Sequence, residues 1–215
     1  MTAPAASTPF APTVSASIAE RLLRCVVGLV VCGVGIALMV VGDVGLAPWD
    51  VLHRGISTRT DAGIGTVIIA VGFVLLVVWI PLRVRPGVGT ILNAVLLGAT
   101  VNVLLPVLPE PGAIAVRTTL MVLGVVAFGL GTGLYIGAGL GPGPRDGLMT
   151  GIAARGHSLR LVRTAIELSV LVVGWALGGS VGLGTAVFAL TIGPLVQFFL
   201  THLGVQAAPA ANRPR

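Results

Sequence analysis

Two stretches decide the reading of this chain: GVGIALMVVGDVGLAPWDVLHRGIS at 33–57 and GLGTGLYIGAGLGPGPRDGLMTGIA at 129–153. Laid over each other at a shift of 96, they share Gly33/Gly129, Gly35/Gly131, Leu38/Leu134, Gly45/Gly141, Pro48/Pro144, Asp50/Asp146, Leu52/Leu148, Gly55/Gly151 and Ile56/Ile152. That is nine identities in 25 positions without a gap. Trp79 falls on Trp175 in the same register. With a gap of one residue, Gly87, Gly89 and Thr90 fall on Gly182, Gly184 and Thr185, and Gly98 on Gly193. Apolar composition produces chance matches among Leu, Val and Gly. It does not align Pro-x-Asp and two tryptophans at one offset. The chain reads as a duplication, and repeats of this kind govern the rest of the fold.

The solvent for most of the chain is lipid. Of the 215 residues, 55% are hydrophobic and 9% charged, against about 25% charged in an ordinary soluble domain. Mean hydropathy is +1.05. A soluble protein of this size has too little interior to hide so much apolar surface. This excludes a soluble enzyme, a secreted disulfide scaffold and a disordered chain. Apolar segments lie at about 22–42, 63–82, 88–106, 117–138, 160–178 and 184–203. Each approaches the ~20 residues that cross a ~30 Å hydrocarbon layer, and backbone at that depth must satisfy its own hydrogen bonds as helix. The expectation is therefore an all-α polytopic bundle of six transmembrane helices. The first repeat occupies 18–110 and the second 111–204. Residues 1–17 and 205–215 read as disordered tails. A signal peptide is not expected, because early positive charge is lacking and the first apolar run is too long.

All 13 basic residues are arginine, and the net charge is +6. Arg21, Arg24, Arg83, Arg85, Arg145, Arg155, Arg160, Arg163, Arg213 and Arg215 fall on one side of such a bundle, and only Arg54, Arg59 and Arg117 on the other. The positive-inside rule then places both termini in the cytoplasm. Each copy holds three spans. An odd number makes the second copy enter from the opposite face, an inverted-topology repeat of the kind many secondary transporters use. The arginines are scattered singly or in pairs, so nucleic acid is not an expected partner. Cys25 and Cys32 are seven residues apart on one helix, about 10 Å, too far for a disulfide. His53, His157 and His202 are scattered, and no metal or cofactor is expected.

Pro48-Trp-Asp50-Val-Leu52-His-Arg-Gly55 and Gly141-Pro-Gly-Pro144-Arg-Asp146-Gly-Leu-Met resemble the paired signatures of the YczE/YyaS/YitT-type bacterial membrane proteins. So does Arg163-x3-Glu167 followed by Gly178-Gly179, Gly182-x-Gly184-Thr185 and Gly193-Pro194. The resemblance spans about residues 22–200. It implies a polytopic protein of the bacterial inner membrane with no assigned molecular activity.

The candidate site residues follow from both halves. Proline in the first turn and aspartate two residues on form a helix-start signature. Pro48, Trp49 and Asp50 open one short helix at 48–57, and Pro144, Arg145 and Asp146 open another at 144–155. Each carboxylate faces a positive dipole end, worth about 0.3–1 kcal/mol. Either the aspartates only start surface helices, or the helices dip between spans and line a cavity, as irregular elements in matching inverted halves do. Arg163 and Glu167 stand i, i+4 and should pair; the first copy has Val67 and Val71 there. Asp50, Asp146, Arg145, Arg163, Glu167 and His53 are thus the candidates for a substrate path or proton coupling. Gly28, Gly33, Gly35, Gly129, Gly131, Gly133 and Gly137 suit close helix contact, and Asn93, Asn102 and Gln197 cross-helix hydrogen bonds. Trp49 and Trp79 suit interfacial anchors. The glycine run at 137–143 has no strand before it and is no dinucleotide loop.

No nucleophile–base pair or metal constellation supports an enzyme. The leading expectation is a small-solute transporter or exporter with a polar site at the repeat interface. The alternative is a non-transporting accessory protein that stabilises or regulates a membrane partner. The lipid bilayer, an unknown small solute and a second copy or membrane partner are the expected contacts. A polar cavity joining Asp50 or Asp146 to Glu167 favours transport. A solid centre with an exposed small-residue stripe favours the accessory role.

Overall fold

The computed structural model describes residues 10–12, 17–203 and 205–207. Among these residues the chain is helical apart from one short strand pair. The helices are α1 (Ile18–Gly42), α2 (Pro48–Thr60), α3 (Ile64–Leu82), α4 (Val88–Leu104), α5 (Ile114–Gly137), α6 (Pro144–Ala153), α7 (Leu159–Ala176) and α8 (Leu183–His202). Strands β1 (Phe10–Pro12) and β2 (Val205–Ala207) pair antiparallel. The rest of the two expected tails lies outside the described residues, except Ser17. Ser17 caps α1: its hydroxyl accepts from the Glu20 amide, and the Glu20 carboxylate accepts from the Ser17 amide.

Four helices are long and apolar enough to cross a membrane: α1, α3, α5 and α8. Helix α4 is apolar but has 17 residues. Helix α7 has 18 residues and carries Arg160, Arg163 and Glu167. The outward faces bear large apolar side chains with no protein neighbour to cover them, such as Val77, Ile80, Val172, Leu183 and Leu190. In lipid such exposure costs nothing, so the composition and the surface agree on a membrane protein.

Helices α1 and α5 form the most extensive pair and run antiparallel. Small residues set their separation. A Cβ added to Gly28 would sit 2.7 Å from the Gly131 carbonyl oxygen, and one added to Gly124 would sit 2.7 Å from that of Gly35. Each is closer than a real Cβ tolerates, so the expected glycine packing is present. Arginines clamp the two ends of the crossing. Arg21 donates to the carbonyls of Ala138 and Gly139 at 2.8 and 2.7 Å. Arg117 donates to those of Gly42 and Asp43, each at 2.9 Å. A shift of 96 carries the first set of residues onto the second.

The remaining helices wrap this pair. Helix α4 packs on α1 and α8 on α5, while α2 packs on α7 and α6 on α3. Helix α3 also packs along α4, whereas α7 and α8 barely meet. The Asn102 amide donates to Thr66 Oγ1 at 3.0 Å across α4 and α3, the expected cross-helix role. Trp49 and Trp79 depart from the interfacial expectation. They are 6% and 1% exposed, enclosed by protein. The Trp79 ring lies against Gly147, and its indole N–H donates to the Pro144 carbonyl at 3.0 Å. The amphipathic indole suits a protein interior with one buried acceptor as well as a membrane surface.

Candidate functional site: the junction of the two short helices

Tight loops deliver α2 and α6 to the same place. After α1 the chain turns at Gly45, with φ +129°, and after α5 at Gly141, with φ +118°. Both values lie in the region that favours glycine. Each loop is pinned to the start of another helix. The Gly184 amide donates to the Val44 carbonyl at 3.0 Å, and the Gly89 amide to that of Leu140 at 2.9 Å. Thr90, fully buried, donates to the Pro142 carbonyl at 2.7 Å. Proline then opens each short helix, because its missing N–H would have been unpaired there and its φ is already helical. The helices run Pro48–Thr60 and Pro144–Ala153, three residues longer and two shorter at their ends than the sequence suggests.

The starts of α2 and α6 meet. Arg145 reaches Asp50, with Nη2 3.5 Å from Oδ1, and its guanidinium carbon lies 5.3 Å from the centre of the Trp49 ring. At 3.5 Å the first contact is one of charge more than a strong hydrogen bond. The nearer partner of Asp50 is His53, whose Nδ1 is 3.1 Å from the same oxygen. Asp50 is completely buried and His53 is 1% exposed. Asp50 Oδ2, His53 Nε2 and Trp49 Nε1 are buried with no hydrogen-bond partner among the described residues. Asp146, by contrast, is exposed. One of its oxygens accepts from the Tyr135 hydroxyl at 2.7 Å.

Asp146 opens onto a cavity of about 450 Å³. Its walls come from α1, α2, α4, α5, α6, α7 and α8 and include Cys32, Pro48, Trp49, Asn93, Tyr135, Arg145, Asp146, Arg163, Glu167 and Gln197. Arg163 Nε and Glu167 Oε1 pair at 2.8 Å, as their spacing implies. Eight of the nine candidate residues therefore converge here. Pro48, Trp49, Arg145, Asp146, Arg163 and Glu167 line the cavity, with Asp50 and His53 behind Arg145. Pro144 stands aside, holding Trp79 through its carbonyl. Asn93 and Gln197, expected to make cross-helix hydrogen bonds, line the cavity.

Tyr135 was missed at the sequence level. It is the single tyrosine of the chain, set among glycines in an apolar helix, and that isolation was the available signal. Cys25 and Cys32 are free and buried. Among the described residues no group of three or more His, Cys, Asp or Glu side chains could hold a metal ion.

Comparison with known proteins places this arrangement in a family. The model of a family of unknown function, DUF6198, matches residues 19–201. An uncharacterised protein of Haemophilus influenzae is 42% identical over 173 residues, covering 80% of this chain and 79% of the relative. The uncharacterised membrane protein YczE of Bacillus subtilis is 34% identical over 177 residues, covering 80% and 82%. YyaS of the same organism is 24% identical over 181 residues, covering 81% and 89%. No solved structure matches the chain. With its repeated Pro-x-Asp helices and a match running almost from end to end, this chain belongs to the DUF6198 family of YczE-type membrane proteins.

Proposed function

We propose that the protein is a small-solute transporter of the bacterial inner membrane, and not an enzyme. It crosses the bilayer six times, as two inverted halves of three spans, with both termini in the cytoplasm. The observation that carries this reading is the cavity of about 450 Å³ where α2 and α6 meet, an apolar space with charged side chains on its wall. It joins Asp146 and Arg145 to Glu167 and takes walls from both halves of the chain. Its volume falls within the usual range of small-molecule sites, about 300–1,000 Å³.

The inverted arrangement is supported by exchanged contacts. If residue i touches j in a pair related by a two-fold axis, the counterpart of i touches the counterpart of j. Arg21 with Ala138 and Arg117 with Gly42 obey this rule, as do Gly28 with Gly131 and Gly35 with Gly124. Antiparallel α1 and α5 would cross the bilayer in opposite directions. The arginine distribution assigns the inner ends independently. The two short helices then reach inward from opposite faces, the arrangement that P-x-D pairs in inverted halves suggest.

The departure from symmetry supports movement. Packed α3 and α4 close one half, while their counterparts α7 and α8 stand apart with the cavity between them. The cavity residues of α5 and α7 lie toward the helix ends assigned to the cytoplasm, while those of α8 run from Phe188 to Leu200. This conformer thus has its site open inward. Exchange of the two packing modes would open it outward. Transport is favoured over the accessory reading by the packing of Gly28, Gly35, Gly124 and Gly131 within the chain, which leaves these four out of any exposed small-residue stripe.

The test begins with solutes whose distribution differs between deletion and wild-type cells, and continues with their flux into proteoliposomes. Protein-dependent flux that saturates supports transport. Identical solute distributions and leak-level flux for every solute would remove it.

A further inference from the structure

The charges on the cavity wall are matched to a particular kind of solute. Arg163 is neutralised by Glu167 at 2.8 Å. Arg145 is held to Asp50 by one long contact of 3.5 Å, and its other N–H groups have no partner among the described residues. Asp146 accepts one hydrogen bond, from the uncharged Tyr135 hydroxyl, and no cation pairs with it among the described residues. Arg145 and Asp146 are consecutive and both line the cavity. A guanidinium with spare donors and a carboxylate with a spare oxygen therefore line one cavity without pairing to each other. Next to them Trp49, 6% exposed, keeps an indole N–H without an acceptor. Much of the remaining wall is apolar, from Phe128, Phe188, Ile192 and Val196.

A net anion entering this space meets Asp146 and Glu167, and a net cation meets Arg145 and Arg163. The dipoles at the starts of α2 and α6 favour an anion, but Asp50 and Asp146 already occupy those ends. A solute that carries both charges on neighbouring atoms, with an apolar body, satisfies every group at once. We infer that the cavity takes a zwitterionic apolar amino acid, its carboxylate on Arg145 and its ammonium on Asp146. This rests on the transport reading for its purpose, and on the cavity alone for its chemistry. Charge-assisted hydrogen bonds supply the selectivity, and the Phe128–Phe188 edge-on pair, 5.5 Å between centroids, offers the side chain an apolar surface.

The test uses the full chain in detergent micelles or nanodiscs and measures equilibrium binding by calorimetry. The probes are L-leucine, 3-methylbutylamine, which lacks the carboxylate, and 4-methylpentanoate, which lacks the ammonium. Leucine is expected to bind, with each analogue weaker by about tenfold or more, the scale of one lost charge-assisted hydrogen bond. Asp146→Asn should weaken leucine by about tenfold or more and leave 4-methylpentanoate no weaker, while Asp146→Glu retains leucine. The comparison of three probes on the wild-type chain does not depend on either variant folding. Equal or tighter binding of either analogue, or no leucine binding, overturns the inference. Leucine binding without flux in proteoliposomes would keep the solute class and remove transport. Flux of another solute with no leucine binding would do the reverse.

Discussion

The guanidinium of Arg145 rests 5.3 Å above the ring of Trp49, the residue that holds the same place in the first copy of the repeat. Two equivalent positions, one aromatic and one cationic, thus face each other where α2 and α6 begin. A pair of identical residues on a two-fold axis would place like against like. Here the two residues differ and the contact is attractive: an arginine against an arginine would repel, and the stacked pair gains about 0.5–2 kcal/mol. The same arginine also reaches the buried carboxylate of Asp50. Arg145 is therefore both a cavity wall and the link between the short helices.

Removal of Arg145 should cost stability through Asp50. In Arg145→Gln the buried carboxylate keeps His53 but loses its cation and its tie to α6. The expected loss is about 1–3 kcal/mol, read as a lower midpoint of thermal unfolding in detergent. Asp50→Asn on the Arg145→Gln background should restore part of it, because no charge is then left unpaired. A cycle in which the two changes simply add would show that the residues do not interact.

The glycines at the α1–α5 crossing should respond in matched pairs. Gly28→Leu and Gly124→Leu occupy corresponding contacts, and each forces side-chain atoms into a partner's backbone. Overpacking of this kind costs about 1–3 kcal/mol. Both variants should give less monodisperse protein on size-exclusion chromatography, to a similar degree. Gly112→Leu, where a Cβ meets nothing within 4 Å, should behave as wild type. Tolerance of leucine at both crossing positions would contradict the packing described.

Opposite orientation of the two halves has its own readout. Thr60 ends α2, and Ser158 precedes α7; both are exposed. In a chain with Cys25→Ala and Cys32→Ala, single cysteines at these positions should react with a membrane-impermeant thiol reagent from opposite sides. Thr60→Cys should label in intact cells, and Ser158→Cys only in inside-out vesicles. Same-side labelling would end the inverted model, whatever the solute.

Glu167 separates a structural ion pair from a working one. Its pair with Arg163 is 31% and 56% exposed, a setting in which an ion pair contributes about 0–1 kcal/mol. Glu167→Gln should therefore leave the unfolding midpoint nearly unchanged. Flux in proteoliposomes should nevertheless fall by about tenfold or more if the carboxylate faces the passing solute. Normal flux would return Glu167 to a purely structural role.

Positions of the helices were legible because their causes are local. An apolar run long enough for a bilayer becomes a helix wherever it lies, and Pro-x-Asp marks a helix start without knowledge of distant neighbours. The shared register of the two motifs was legible too, since Pro48/Pro144 and Asp50/Asp146 align at one offset. The glycine contacts followed in type, though not in partner. Tyr135 stayed hidden, because nothing in its own helix reveals that a carboxylate from α6 will return to it.

The chain's order of residues determined that this is a lipid-solvated helical protein with a repeated helix-start motif, since burial in a bilayer and helix initiation act over neighbouring residues. Tertiary structure alone decided what the two aspartates became. Asp50 is sealed behind Arg145 and His53, while Asp146 opens to a cavity beside Tyr135. The two share a motif but not an environment, because side chains from other helices surround each of them. It also decided that Trp79 turns inward to Pro144 and that α7 stands apart from α8. Those outcomes depend on how close backbones approach across the whole bundle, a quantity no single segment contains.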